Sequence, residues 1–272
     1  MRLTVLGCAG SFPSASSPAS GYLLQAQGAR LLLDLGNGSI VNLQREIDLD
    51  DPQCLDGIVL SHGHVDHCAD LGSLFVIRAY HPRVKFPRLA VLGPAGIAQR
   101  IADLYGTSVS ALSAVFDFRE LGQQPEQVGP FAIRACPARH PGPALCLRVQ
   151  AAVDREGAVA SLAYSGDTGP NPDLITLAQG VDLALFEASF VGREGPPDLH
   201  LTATQAAEHA AKAGAGRLLV THLVAWNDDA QVLAEAQAAF PGVVELARPG
   251  LQVDIGAGGE YWPIRVGPHD AL

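Results

Sequence analysis

Three imidazoles and a carboxylate fall within six residues at His62-Gly63-His64-Val65-Asp66-His67, directly after the apolar run IVLS. The chain has nine histidines, and a chance H-x-H-x-D-H match is on the order of one in a thousand sequences of this composition. In extended backbone His62 and His64 point the same way and can reach one cation, while Asp66 and His67 turn toward a second. The bland alternative is a solvated polar loop. A four- or five-coordinate site needs more nitrogen and oxygen donors, and His140, Asp167 and His222 stand at or near the ends of later apolar runs. Such a set suits divalent ions that acidify water for hydrolysis.

The elements that must position these donors are mostly strands. RLTVLG (2–7), GYLLQA (21–26), ARLLLDLG (29–36) and IVLS (58–61) read as the opening strands, separated by Gly/Ser/Pro segments. A helix is expected over 69–80 and another from Ala95 to Tyr105, with a short strand at 88–92 between them. Strands follow at 116–121, 131–136, 144–150 and 160–167. After His200, Thr202 and Gln205 form a capping-box pattern ahead of QAAEHAAKA, and Gly214 suits the helix stop. RLLVTHL (217–223) is a strand, 228–240 an amphipathic helix, and 243–254 a closing strand. The pattern gives an α/β or α+β class, with sheets packed together and helices outside.

With 272 residues, 48% hydrophobic and 17% charged, the chain can bury a large core and reads as one domain over 1–272. No apolar run is long enough to span a bilayer, and the start lacks the long apolar stretch of a signal peptide. Five cysteines (Cys8, Cys54, Cys68, Cys136, Cys146) without a C-x-x-C pair argue against a disulfide framework and a thiolate zinc site. A cytoplasmic location is expected. The net charge of −10 opposes long polyanionic partners but not small anions near a cation.

HGHVDH, His140, YSGDT around Asp167 and THL around His222 resemble, in order, the ligand motifs of the metallo-β-lactamase superfamily. The resemblance spans nearly the whole chain. It implies a four-layer αββα sandwich and two divalent metal ions, one held by His62, His64 and His140 and the other by Asp66, His67 and His222. Asp167 would bridge them, a hydroxide shared by the ions would be the nucleophile, and Asp66 counts among the catalytic residues as well as the ligands. Zinc is the expected metal, although histidine and carboxylate donors suit manganese and iron as well.

FEAS (186–189) and HLTATQAAEHA (200–210) resemble segments of the phosphodiesterase branch, which includes tRNase Z and bacterial cyclic-nucleotide phosphodiesterases. That resemblance makes His200 the general acid for the leaving alkoxide, held protonated by Glu187. Without it, Glu187 is an ordinary buried carboxylate and His200 a surface residue before a helix cap. Asp34, in LLLDLG, matches a position that supports the metal-binding loop; a turn-side aspartate is the other reading. Ser61 and Thr221 read as plain strand residues. In tRNase Z a long Gly/Pro-rich basic arm grips tRNA, whereas here strands fill the interval from His140 to Asp167. The whole chain looks closest to atypical bacterial cyclic-AMP phosphodiesterases.

The expected partner is therefore a cyclic nucleotide or other small phosphodiester, with nucleic acid not favoured, no membrane, and a homodimer as the family implies. The competing readings are a tRNase Z-like nuclease, an acyl hydrolase of the same fold, and a metal-stabilised binding protein without activity. His81 is left as a structural loop residue, His209 and His269 as solvated, and Cys68 as a small buried residue behind the ligand loop.

Overall fold

The computed structural model describes residues 1–122, 124–152, 159–192, 196 and 198–256; His269 lies outside them. Two seven-stranded sheets make the frame. The first contains β1 (Arg2–Gly7), β2 (Gly21–Ala26), β3 (Ala29–Leu35), β4 (Gly57–Val59), β5 (Leu89–Gly93) and β6 (Phe116–Glu120), in that spatial order. The second contains β7 (Glu126–Val128), β8 (Phe131–Pro137), β9 (Leu145–Ala152), β10 (Val159–Tyr164), β11 (Leu183–Glu187), β12 (Arg217–Thr221) and β13 (Val243–Leu246), also in order. A last strand, β14 (Gln252–Asp254), returns to pair antiparallel with β1 in the first sheet.

The hydrophobic pattern explains the stacking. In β3, Leu31 and Leu33 join the core between the sheets while Leu32 and Leu35 face the helices outside. A strand covered on both faces reads as a near-continuous apolar run, as LLLDL does with Asp34 its one interruption. β11 repeats the arrangement: Leu183 and Leu185 point to the inner core, Ala184 and Phe186 to the outer one. Helices α1 (Ser39–Glu46), α3 (Leu71–Tyr80), α4 (Ile97–Tyr105) and α5 (Val109–Ser113) cover the first sheet. Helices α6 (Pro172–Leu177), α7 (Ala203–Ala213) and α8 (Asp229–Ala239) cover the second. The result is helix, sheet, sheet, helix, the four layers expected. Among the described residues no helix is long and apolar enough to cross a membrane.

Local chemistry sets several boundaries. Thr202 caps α7 in a full capping box with Gln205, and Gly214 closes it at φ 66°. The alanines of α7 face inward, and their small side chains let the helix lie close to the sheet. Two expectations need correction. The closing strand at 243–254 is two strands in different sheets, broken at Gly250, whose φ of 82° turns the chain from one sheet to the other. His209 is 6% exposed rather than solvated: its Nδ1–H donates to the Gln205 carbonyl at 2.7 Å and its Nε2 accepts the Asn171 N–H at 3.0 Å.

Candidate metal centre

The donors meet where several strands end. β4 runs out into the loop carrying His62 and His64, and a short helix α2 (Val65–Cys68) turns Asp66 and His67 back toward the sheets. His140 follows β8, Asp167 follows β10, and Glu187 and His222 sit at the ends of β11 and β12. The two sheets are joined here, because His62 bridges Ala144 and the Leu145 N–H donates to the Ser61 carbonyl at 2.9 Å. Glycines allow the close approach. A Cβ on Gly36 would collide with the Asp66 carbonyl oxygen, and one on Gly10 would strike His222.

Two donor groups result. His62 Nε2 lies 3.0 Å from His64 Nδ1, and His140 Nε2 lies 3.1 Å from the same atom. His67 Nε2 and His222 Nε2 approach Asp66 Oδ2 at 3.3 and 3.2 Å. Asp167 stands between the groups: its Oδ1 is 3.1 Å from His67 Nε2, while its Oδ2 is 3.3 Å from His222 Nε2 and 3.7 Å from His62 Nε2. Each group is compact enough for one ion.

Surrounding residues aim the rings. Fully buried Asp34, held at φ 56°, accepts the Ser61 N–H and hydroxyl, the Tyr164 hydroxyl and His67 Nδ1–H, each at 2.7 Å. His140 Nδ1–H donates to the Leu199 carbonyl at 2.8 Å. The Ser189 hydroxyl donates to Glu187 Oε2, so it accepts His222 Nδ1–H at 2.7 Å. These bonds favour the Nδ1 proton on His67, His140 and His222 and turn each Nε2 toward the cluster, the orientation a cation requires. Ser61 thus helps to hold the loop rather than acting as a plain strand residue, and Asp34 supports the ligand loop. The sequence alone assigns no role to Tyr164 or Ser189, although they are the first residue of YSGDT and the last of FEAS.

The residues fit a pair of cations. His67 Nε2 and Asp167 Oδ1 are buried with no hydrogen-bond partner among the described residues, although only 3.1 Å separates them. Buried polar atoms are rarely left so unless an ion or water completes them. Charge points the same way. In the metal-free chain burial opposes ionisation throughout, yet His222 and His67 hold Asp66 and Asp167 well below the usual carboxylate range, and Asp167 and Asp34 hold His67 well above the usual imidazole one. A buried anionic cluster that recruits protons can exchange them for metal.

His200 and Glu187 form a separate unit at the edge. Glu187, fully buried, accepts the Thr168 N–H at 2.8 Å, the Ser189 hydroxyl at 2.8 Å and His200 Nδ1–H at 2.9 Å. Burial pulls the His200 pKa down, but the Glu187 carboxylate outweighs it and raises the value to about 9. The ring also lies 4.0 Å from Asp167 Oδ2. Elsewhere, His81 ties its own loop, accepting the Arg83 and Val84 N–H groups, and Cys68 donates to the His64 carbonyl at 3.0 Å from a buried position.

The chain has relatives among known proteins. An uncharacterized Mycobacterium tuberculosis protein, Rv1339, is 41% identical over 90% of this chain and 88% of its own length. The probable metallo-hydrolase YhfI of Bacillus subtilis is 30% identical over 92% of this chain and 98% of its own, and its crystal structure superposes with a TM-score of 0.79, covering 93% of this chain and 98% of that one. A Ribonuclease Z from a Mycobacterium species is 28% identical over 95% of this chain and 97% of its own. The profile of the beta-lactamase superfamily domain matches residues 29–223, from the strand that carries Asp34 to one residue past His222. The chain therefore belongs to the β-lactamase superfamily, as a metallo-hydrolase with a His/Asp cluster that could bind metal ions.

Proposed function

We propose that this protein is a binuclear metal-dependent phosphodiesterase, one domain over 1–272, acting on a cyclic nucleotide or another small phosphodiester. The observation that carries the reading is the His200–Glu187 pair, 2.9 Å apart at the rim of the donor cluster. An acyl transfer has less need of a dedicated cation-held proton donor than the expulsion of an alkoxide from phosphorus.

In this reading His62, His64 and His140 would hold one ion, Asp66, His67 and His222 the other, and Asp167 would serve both. When bound, two divalent ions, zinc in the first instance and manganese or iron in its place, lower the pKa of a water and offset charge on the attacked phosphate. His200 presents Nε2–H to the departing oxygen while its Nδ1–H stays on Glu187. Glu187 is held by Thr168 and Ser189, so the ring keeps one orientation. Asp66 Oδ2 stands 3.3 Å from His67 Nε2 and 3.2 Å from His222 Nε2, close enough for the three to share one cation. The five free cysteines agree with a reducing, cytoplasmic setting; a homodimer rests on the family resemblance alone.

A nuclease is the second reading, favoured by the similarity to Ribonuclease Z. The net charge of −10 opposes it. The deciding assay offers metal-reconstituted protein 3′,5′-cAMP, 2′,3′-cyclic nucleotides, bis(p-nitrophenyl) phosphate, a short RNA and a β-lactam, with His64→Ala as control. Turnover of small phosphodiesters that disappears in the control supports the proposal. Turnover of RNA alone favours the nuclease, and β-lactam turnover without any phosphodiester overturns both.

A further inference from the structure

Beside the donor cluster, two loops are zipped together and each presents an aromatic ring to solvent. The Gly10 N–H donates to the Leu223 carbonyl at 3.1 Å and the Leu223 N–H to the Cys8 carbonyl at 2.8 Å. Ser11, at φ 62°, closes a three-residue turn in which the Phe12 N–H reaches the Gly10 carbonyl at 2.7 Å. A γ-turn with positive φ is strained and uncommon, and here it carries the chain outward beside the metal site. The Ser11 N–H is 3.3 Å from His222 Nε2, so Phe12 is the next residue after one that touches the cluster.

From the other side, Trp226 lies four residues beyond His222 in a turn closed by the Asn227 N–H on the Val224 carbonyl at 2.9 Å. The Asn227 side chain anchors that turn to the Ser189 carbonyl at 2.9 Å, the same Ser189 that aims His222. Phe12 and Trp226 meet with ring centroids 5.3 Å apart and planes tilted by 42°. They remain 39% and 74% exposed. Leaving an indole largely in water forgoes hydrophobic burial that the fold could have used.

We propose that Trp226, propped by Phe12, is a stacking platform for the nucleobase or other aromatic group of the substrate, and so sets its specificity. The inference rests on the phosphodiesterase reading and narrows it to phosphodiesters that carry a base or aryl ring. Phe12 follows Ser11, whose N–H lies 3.3 Å from His222 Nε2, and Trp226 precedes Asn227, which is bonded to the Ser189 that aims His222, so the platform stands beside the donor cluster, where the aromatic substituent of a bound phosphodiester would meet it. A flat π-face accepts any base, and selectivity among purines and pyrimidines would be modest.

The chain has two tryptophans, Trp226 and Trp262, so Trp262→Phe leaves Trp226 as the only indole reporter. In that background AMP should quench the fluorescence, with and without added zinc, and ribose 5-phosphate should not; Phe12→Ala should weaken the AMP response. In the enzyme, Trp226→Ala should cut the preference for 3′,5′-cAMP over base-free ribose 3′,5′-cyclic phosphate about tenfold, and Trp226→Tyr should restore most of it. Equal quenching by the two phosphates, or an unchanged preference in Trp226→Ala, overturns the platform, as does loss of dimerisation as that variant's only defect. The two proposals fail separately. Quenching by AMP in a protein that hydrolyses no phosphodiester sinks the activity and leaves the base site, whereas indifferent hydrolysis of base-bearing and base-free esters does the reverse.

Discussion

Asp34 on β3 and His67 on the short helix α2 meet at 2.7 Å with both side chains wholly buried. The carboxylate also takes three donors from Ser61 and Tyr164, so it is fixed before any cation arrives. Replacing Asp34 with Ala should free His67 to rotate and lower metal affinity about 10- to 100-fold. Metal content after dialysis against a graded chelator series measures this, and wild-type retention in the variant would remove Asp34 from the support of the site.

His200 is expected to act as the imidazolium. Substitution by Ala should reduce kcat on alkyl phosphodiesters by about 10²- to 10⁴-fold, with far less effect on bis(p-nitrophenyl) phosphate, whose leaving group needs no proton. A pair of Brønsted plots against leaving-group pKa tests the difference.

The pH profile carries a second signature of the same pair. Because Glu187 raises the His200 pKa to about 9, the acid form is present at neutral pH and activity should fall only as pH rises through that region. Glu187→Gln removes the raising carboxylate, leaving burial to act alone, so the alkaline limb should move to lower pH. A limb that stays in place would assign it to some other group.

Cations that bind the folded donor cluster and not the unfolded chain must stabilise the fold. At a free concentration 100-fold above Kd one ion contributes about 2.7 kcal/mol. Chelation should therefore lower Tm, and the drop should be smaller in Asp167→Asn, which removes the carboxylate proposed to serve both ions. Calorimetry at fixed protein concentration reads both.

His209 ties α7 to the start of α6 through Gln205 and Asn171. Its removal in His209→Leu should leave the Asn171 N–H unpaired, at a cost of about 1–3 kcal/mol. Burial lowers its pKa in the folded chain, so the unfolded state binds more protons near and below the ordinary imidazole range. Its contribution is thus complete at higher pH and declines as pH falls through about 6.5 toward the lowered folded value. Urea unfolding at pH 7.5 and 5.5 should show a smaller wild-type stability at the lower pH and a weaker pH response in the variant.

The strands were legible wherever an apolar run had clear punctuation, as in GYLLQA and ARLLLDL, and the α7 box announced itself through Thr202, Gln205 and Gly214. β11 was not, because LALFE is buried on both faces and sits among Ala-rich segments without an alternating pattern. α1 begins at Gly38 in the left-handed region with no capping side chain, so no start signal precedes it. The donors of the cluster could be named because their types are rare together, and the structure brings all of them to one place. Asp34, Ser61, Tyr164 and Ser189 matter through contacts across long chain separations, the Tyr164–Asp34 bond above all, and single-residue chemistry does not announce such partners.

The junction at His62 and Ala144 joins donors from both halves of the chain. During synthesis, the stretch from His62 to His67 leaves the ribosome long before His222, and it holds only part of the donor set. The full donor set therefore exists only once the chain has passed His222, and a prematurely terminated product would expose histidines able to grip cations only loosely.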